Sequence, residues 1–163
     1  MSKTTGKMNR EYLLKTYIYL MYSARNIFRF SNKLWMSKDH INLAKFMVLK
    51  SISVHGGKIT HSKLADLSVT ERSNITALIK GMKQEDLIEV EPDPNDKRVK
   101  YVKNTTKGRK ILQRALLTES QIAESIMKGI TQRQATELCR FLDKMMDNVN
   151  PPNRNSTCFS KNG

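Results

Sequence analysis

Cysteine is scarce in this chain: Cys139 and Cys158 are the only two in 163 residues. Two are too few for a disulfide scaffold, so a reducing compartment, the cytoplasm, is expected. Long apolar runs are missing as well. No stretch approaches the roughly 20 residues that span a bilayer, and polar Met1 to Lys7 is not followed by the apolar core of a secretory signal. The parts of common enzymes are absent too. There is no P-loop, nucleophile elbow, glycine-rich dinucleotide turn or paired-histidine helix. His40, His55 and His61 show no paired spacing, and nothing resembles a closed set of nitrogen and sulfur metal ligands. A non-enzymatic protein without metal or resident cofactor is expected. No internal repeat is visible.

The length suits one domain, or one domain with an oligomerisation arm. Apolar residues make up 39%, enough for a core, and 29 Lys+Arg against 15 Asp+Glu give a net charge of +14. That excess suggests a polyanionic partner without saying which. Its distribution says more. Residues 1–50 carry +8 and residues 97–118 carry +8 with no acidic residue, whereas residues 58–91 sum to −1. Two basic blocks flank a nearly neutral middle. Each block alone reads as a solvated face. The second follows a turn and starts a helix, which favours a surface that holds phosphates.

Periodicity predicts a long helix over 8–30. Leu14, Ile18, Met21, Arg25 and Phe28 form one stripe, and Leu13, Tyr17, Leu20, Ala24 and Ile27 a second beside it. The combined face is wide enough to need more than one neighbour, including one across a subunit boundary. Residues 31–41 read as a loop. A second helix runs from Asn42, its N-cap, to His55 and stops at Gly56-Gly57. Lys58-Ile59 reads as a short extended piece. Thr60 caps a brief helix, His61 to Leu67, Ser68-Val69 turns, and Thr70 caps the helix Glu71 to Glu85, with Ile75, Leu78, Ile79 and Met82 on one face. Two short helices joined by a tight turn make a helix-turn-helix, a pattern that any helical hairpin can imitate.

The following segment is more specific. Leu87-Ile88-Glu89-Val90-Glu91 alternates as a half-buried strand does, Pro92-Asp93-Pro94-Asn95-Asp96 is rich in turn formers, and Val99 to Val102 suits a return strand. Such a hairpin directly after the second helix is a wing. Thr105 or Thr106 then caps a helix to about Lys128, with Ile111, Leu112, Ala115, Leu116, Ile122, Ala123 and Ile126 as its buried stripe, and Gly129 ends it. Thr131 to Gln134 is a capping box that opens a last helix, its apolar face formed by Ala135, Leu138, Cys139, Leu142, Met145 and Met146. The fold class is mainly α with a small β-hairpin wing: a winged helix-turn-helix lobe over 42–104, a helical dimerisation region over 8–35 and 105–148, and a flexible polar tail over 149–163.

Residues 59–109 resemble the MarR family, the multiple-antibiotic-resistance type of transcriptional regulator. The resemblance rests on Ile59-Thr60, Leu64-Ala65, Val69-Thr70, the Leu78/Met82 spacing, Leu87-Ile88, Asp96-Lys97-Arg98 and Thr105-x-x-Gly108-Arg109. Asp-x-Arg followed at fixed distance by Thr-x-x-Gly is its most specific part, and helix order and length fit over about 10–148. Three positions depart from the pattern. Asn104 replaces a usual leucine, Asp86 a usual glycine after the recognition helix, and Ala77 stands where several members place an arginine. Asp tolerates the left-handed conformation required at such a helix end better than most residues.

The resemblance implies a homodimer. Its first, fifth and sixth helices would interleave with the partner's, and two lobes would bind a pseudo-palindromic site on double-stranded DNA. With the core face of the recognition helix set, Ser73, Asn74, Thr76, Ala77, Lys80 and Gln84 fall opposite at 100° per residue. Asn74 suits adenine, and Ala77 or the Thr76 methyl suits a thymine methyl. Arg72 is expected on a phosphate or an outer base. On the wing, Arg98 would enter a narrow minor groove with Asp96 bracing it, and Lys97 and Lys100 would meet phosphates. The first turn of the following helix, Thr105 and Lys107, would meet phosphates as well.

Members of the family often release DNA when a small aromatic or anionic effector enters the cleft between the dimerisation helices and the DNA lobe. Arg25, a cation inside an apolar stripe, either closes a salt bridge or holds such an effector with Tyr22. Cys139, on an apolar stripe, and Cys158, in the tail, give no sign of a tuned redox thiolate. Two other readings stay open: a weakly specific architectural DNA binder, and a winged-helix module that binds an acidic protein.

Overall fold

The computed structural model describes residues 9–67 and 72–149, the side chains of Arg72 and Ser73 excepted. The turn Ser68-Val69, the Thr70 cap, Glu71 and the tail beyond Val149 lie outside the described residues. The elements run α1 (Arg10–Asp39), α2 (Leu43–Val54), β1 (Lys58–Thr60), α3 (His61–Leu67), α4 (Arg72–Gln84), β2 (Ile88–Pro92), β3 (Lys100–Asn104), α5 (Thr106–Met127) and α6 (Gln132–Val149).

Local capping sets the helix starts. Asn42 Oδ1 accepts from the Lys45 N–H at 2.9 Å, Thr60 Oγ1 from Lys63 at 3.2 Å, and Thr105 Oγ1 from Gly108 at 2.9 Å. At α6 the capping box closes in both directions: Gln134 N–H to Thr131 Oγ1 at 3.3 Å and Thr131 N–H to Gln134 Oε1 at 2.9 Å. After α2 the chain turns through Gly56 and Gly57 at φ +76° and +82°, a conformation that disfavours a side chain.

The three strands pair antiparallel in the order β1-β3-β2. Val102 sits at the centre, opposite Ile59 on one side and Val90 on the other. Around it gather Phe46, Leu49 and Ile52 of α2, Leu64 of α3, Ile75, Ile79 and Met82 of α4, and Leu87 and Ile88, all buried. The same cluster continues into Trp35 of α1 and Leu112, Ala115 and Ile122 of α5. The winged lobe and the base of the long helices therefore share one core.

The loop expected over 31–41 is helix up to Asp39. Ser31, Trp35 and Asp39, four residues apart, bury one face. The Trp35 indole donates to the Ala115 carbonyl at 3.1 Å, and its ring stacks on Phe46 with centroids 4.5 Å apart. Segment 31–39 is too polar to show a local stripe, and contacts far away in sequence hold it helical. His40 then ends α1 in the left-handed region at φ 56°.

Two parts of the molecule stand apart from this core. From Tyr12 to Phe30, α1 is almost wholly exposed, Tyr12, Leu13, Leu14, Tyr17, Ile18 and Phe28 included. In α6 no residue is buried, and Phe141 and Val149 are 60% and 75% exposed. On α5, Leu112, Ala115 and Ile122 are buried and Ile111 and Ile126 half-buried, while Leu116 and Ala123, expected inside, are exposed.

Candidate nucleic-acid interface

The recognition helix α4 buries Ile75, Ile79 and Met82 and half-buries Leu78. This leaves Asn74, Thr76, Ala77, Lys80 and Gln84 exposed on the opposite side. Ser73 and Arg72 share the helix, with their side chains outside the described residues. The exposed face brings small polar groups and a single Lys to the surface, a composition that suits base edges.

At the wing, β2 and β3 are joined by a turn closed by main-chain bonds from Val99 N–H to Asp96 O and from Asp93 N–H to Val99 O, each 2.9 Å. Asp96 Oδ1 accepts from the Arg98 backbone N–H at 2.9 Å. The brace expected between Asp96 and Arg98 thus acts on the backbone, and the guanidinium stays exposed. Lys97 and Lys100 are exposed beside it.

Asp93, which the sequence marked only as a turn former, organises the turn. Its Oδ1 accepts from the Asn95 N–H at 2.8 Å and the Asp96 N–H at 3.2 Å. These bonds, helped by the Tyr101 hydroxyl and the positive charge of Lys58, hold its carboxyl below the ordinary aspartate range. Lys58 in turn lies over the Tyr101 ring, 3.8 Å from its centroid. Asp-Pro-Asn-Asp is an Asx-turn signal. Lys58 carries no such signal, because its neighbour across the sheet is far away in sequence.

The basic block of 97–118 divides into two sets. Lys103 pairs with Glu91. Arg109 donates to the Asn104 carbonyl at 2.6 Å and to Thr106 Oγ1 at 3.0 Å. Lys107 donates to the Glu85 carbonyl at 2.7 Å. Thr105 Oγ1 donates to the Asp86 carbonyl at 2.7 Å. Lys97, Arg98, Lys100, Lys110 and Arg114 have no such partner among the described residues and are exposed. The three departures from the family pattern are accommodated. Asp86 takes φ 57°, Asn104 is buried with its Nδ2 donating to the Leu49 carbonyl at 2.9 Å, and Ala77 is exposed.

Tyr22 lines a shallow hollow on α1 with Lys15, Ile18 and Tyr19. Arg25 lies outside that lining. Among the described residues no cluster of metal-ligating side chains occurs, and no helix is long and apolar enough to cross a membrane.

A recognition helix whose described outer face carries polar groups and a single lysine, followed by a cationic wing on a three-stranded sheet, defines the winged helix-turn-helix class of DNA-binding proteins. The MarR family model matches residues 41–100. The chain is 25% identical over 114 residues to the HTH-type transcriptional repressor IacR of Pseudomonas putida, an alignment that spans 70% of this chain and 68% of that protein. It superposes on the organohalide-sensing transcriptional regulator RdhR-CbdbA1625, crystallised with 2,4-dichlorophenol, at TM-score 0.80, 22% identity and 99% coverage of both chains. It also superposes on a mutant of E. coli MarR complexed with operator DNA, at TM-score 0.70, 25% identity, and 82% and 98% coverage of the two chains. Residues 41–100 thus match the MarR family model, and the chain is similar to transcriptional repressors of that type.

Proposed function

We propose that this protein is a homodimeric, effector-responsive repressor that binds a pseudo-palindromic operator in double-stranded DNA. One observation carries the reading. An exposed, mostly uncharged recognition face with Lys80 as its single described cation is followed by a wing that presents Lys97, Arg98 and Lys100, so sequence reading and phosphate holding fall largely to different residues. Ser73, Asn74, Thr76, Ala77 and Lys80 read bases, Arg98 enters the minor groove, and Lys97, Lys100 and Arg72 hold phosphates. The dimerisation region comprises the exposed stripes of α1 and α6 with α5. Apolar faces of this extent are rarely left to solvent by a monomer, and a second copy of the same helices covers them with matching chemistry. The repressor IacR and the operator-bound E. coli MarR support the operator reading, and the dichlorophenol-bound regulator supports a small aromatic or anionic effector. A cytoplasmic location follows from a DNA partner.

The test is selection of bound sequences from random DNA with the full chain, then titration of the recovered site against random duplex. Two half-sites related by a dyad and a specificity ratio of about 10³ or more are expected. A much lower ratio favours an architectural binder. For the effector, Arg25→Ala should blunt ligand-induced release if Arg25 and Tyr22 hold an anion. Unaltered release assigns Arg25 to a salt bridge.

A further inference from the structure

The exit of the recognition helix is held by the first turn of α5. Helix α4 ends with the Asp86 N–H bonding to Lys83 O at 3.1 Å and the Leu87 N–H to Met82 O at 2.9 Å, with Asp86 left-handed. This Schellman arrangement leaves the next carbonyls pointing outward. Three in succession are taken by α5: Glu85 O by Lys107 Nζ at 2.7 Å, Asp86 O by Thr105 Oγ1 at 2.7 Å, and Leu87 O by the Thr105 N–H at 3.2 Å. The approach is so close that a Cβ at Gly108 would lie 2.0 Å from Leu87 O. From the other side Lys45 of α2 grips the Glu85 carboxylate, 2.6 Å from each oxygen.

We propose that Lys107, together with Thr105 and the Lys45–Glu85 pair, is a positioning residue: it locks the recognition helix to α5 and so sets the half-site spacing that the dimer accepts. The inference rests on the dimeric DNA-binding reading above. An ammonium group donating to a carbonyl at the negative end of a helix is favourably placed, and its hydrogen bond serves the joint rather than a phosphate. Helix α5 belongs to the region proposed to bind the second copy, so the angle at this joint determines how far apart two recognition helices stand.

The experiment uses the full chain, the operator recovered by selection, and versions of it with one base pair inserted or removed between half-sites. Affinities are measured over a range of salt concentrations. Wild type should discriminate strongly against both altered spacers. Lys107→Met should lower that discrimination about tenfold, the factor expected for one charge-assisted hydrogen bond, while its salt slope stays at the wild-type value. Glu85→Gln should also relax spacing, although removing a negative charge near DNA would by itself only tighten binding to all spacings. Lys107→Arg, which keeps a cationic donor, should restore discrimination.

The proposal is overturned if Lys107→Met weakens all spacings equally and lowers the salt slope by about one unit, the signature of a lost phosphate contact. It is also overturned if both variants keep wild-type discrimination while wild type still selects paired half-sites. If wild type selects no paired half-sites, the reading beneath it has failed and the proposal falls with it. Thermal unfolding of each variant within a few degrees of wild type separates loss of the joint from loss of the fold.

Discussion

Leu, Ile, Met and Phe have opposite fates in two regions of this molecule. In the winged lobe, Phe46, Leu49, Ile52, Ile75, Met82 and Val102 are fully buried. Along α1 before Ser31 and throughout α6, the same residue types face outward. The lobe completes its core within one chain, because the sheet and side chains from helices α1 to α5 enclose it. Among the described residues the outer helices have no neighbour that closes over them. Each buried side chain of this size contributes roughly 1.5–3 kcal/mol, so the outer helices hold a large unrealised stabilisation that the proposed second copy would supply. Stability of the lobe should be local, and stability of the arms should depend on concentration.

The strongest way to break the inner region is Gly108→Ala. The added Cβ meets a backbone carbonyl, which cannot swing aside as a flexible side chain would. A loss of about 3 kcal/mol or more is expected, read as a fall in Tm or in the denaturation midpoint. A variant with wild-type Tm would mean that the α4–α5 joint is looser than its geometry. Leu142→Asp strikes the outer region instead. Placing a carboxylate in the α6 stripe should weaken dimerisation by about 2–4 kcal/mol, seen by analytical ultracentrifugation as dissociation at micromolar concentration. If the variant sediments as wild type, α6 is not the interface.

Arg98→Ala leaves both cores untouched and should weaken operator binding by about 1–3 kcal/mol, with unchanged Tm. An unaltered gel-shift midpoint would remove Arg98 from the interface. The smallest effect is expected at Asp93. Its carboxyl has a lowered pKa in the folded protein, so its contribution is complete above the ordinary aspartate pKa of about 4 and is lost as pH falls through the lower folded value. Asp93→Ala should therefore loosen the wing turn at neutral pH, detected as faster amide exchange at Asn95 and Asp96, with little change in Tm. In wild type the protection of the same amides, relative to their intrinsic exchange at each pH, should fall only in acid below about pH 4. Equal exchange rates in variant and wild type would rule out the Asx turn as the brace.

Features made by neighbours in sequence were legible before the fold was known. The caps at Asn42, Thr60 and Thr105, the Thr131–Gln134 box, the left-handed Asp86 and the alternating strand before the wing all depend on hydrogen bonds or side-chain periods within a few residues. The exposed face of α4 followed from its apolar stripe by helical geometry alone. Less legible were features whose cause lies far along the chain. Segment 31–39 reads as a loop by its polarity, yet Trp35 reaches Ala115 and fixes it as helix. Asn104 looks like a defect in a strand until its amide is seen capping the Leu49 carbonyl.

The amino-acid order determined the winged-helix class, most of the elements and the exposed face of α4, since helix and strand periods are short-range properties. Tertiary structure decided how the charge is spent. Of the +8 around the wing, Lys103, Lys107 and Arg109 form bonds within the chain, and Lys97, Arg98, Lys100, Lys110 and Arg114 remain exposed without such bonds among the described residues. A count of charges cannot make that division, because it depends on which carbonyls and carboxylates folding brings within reach.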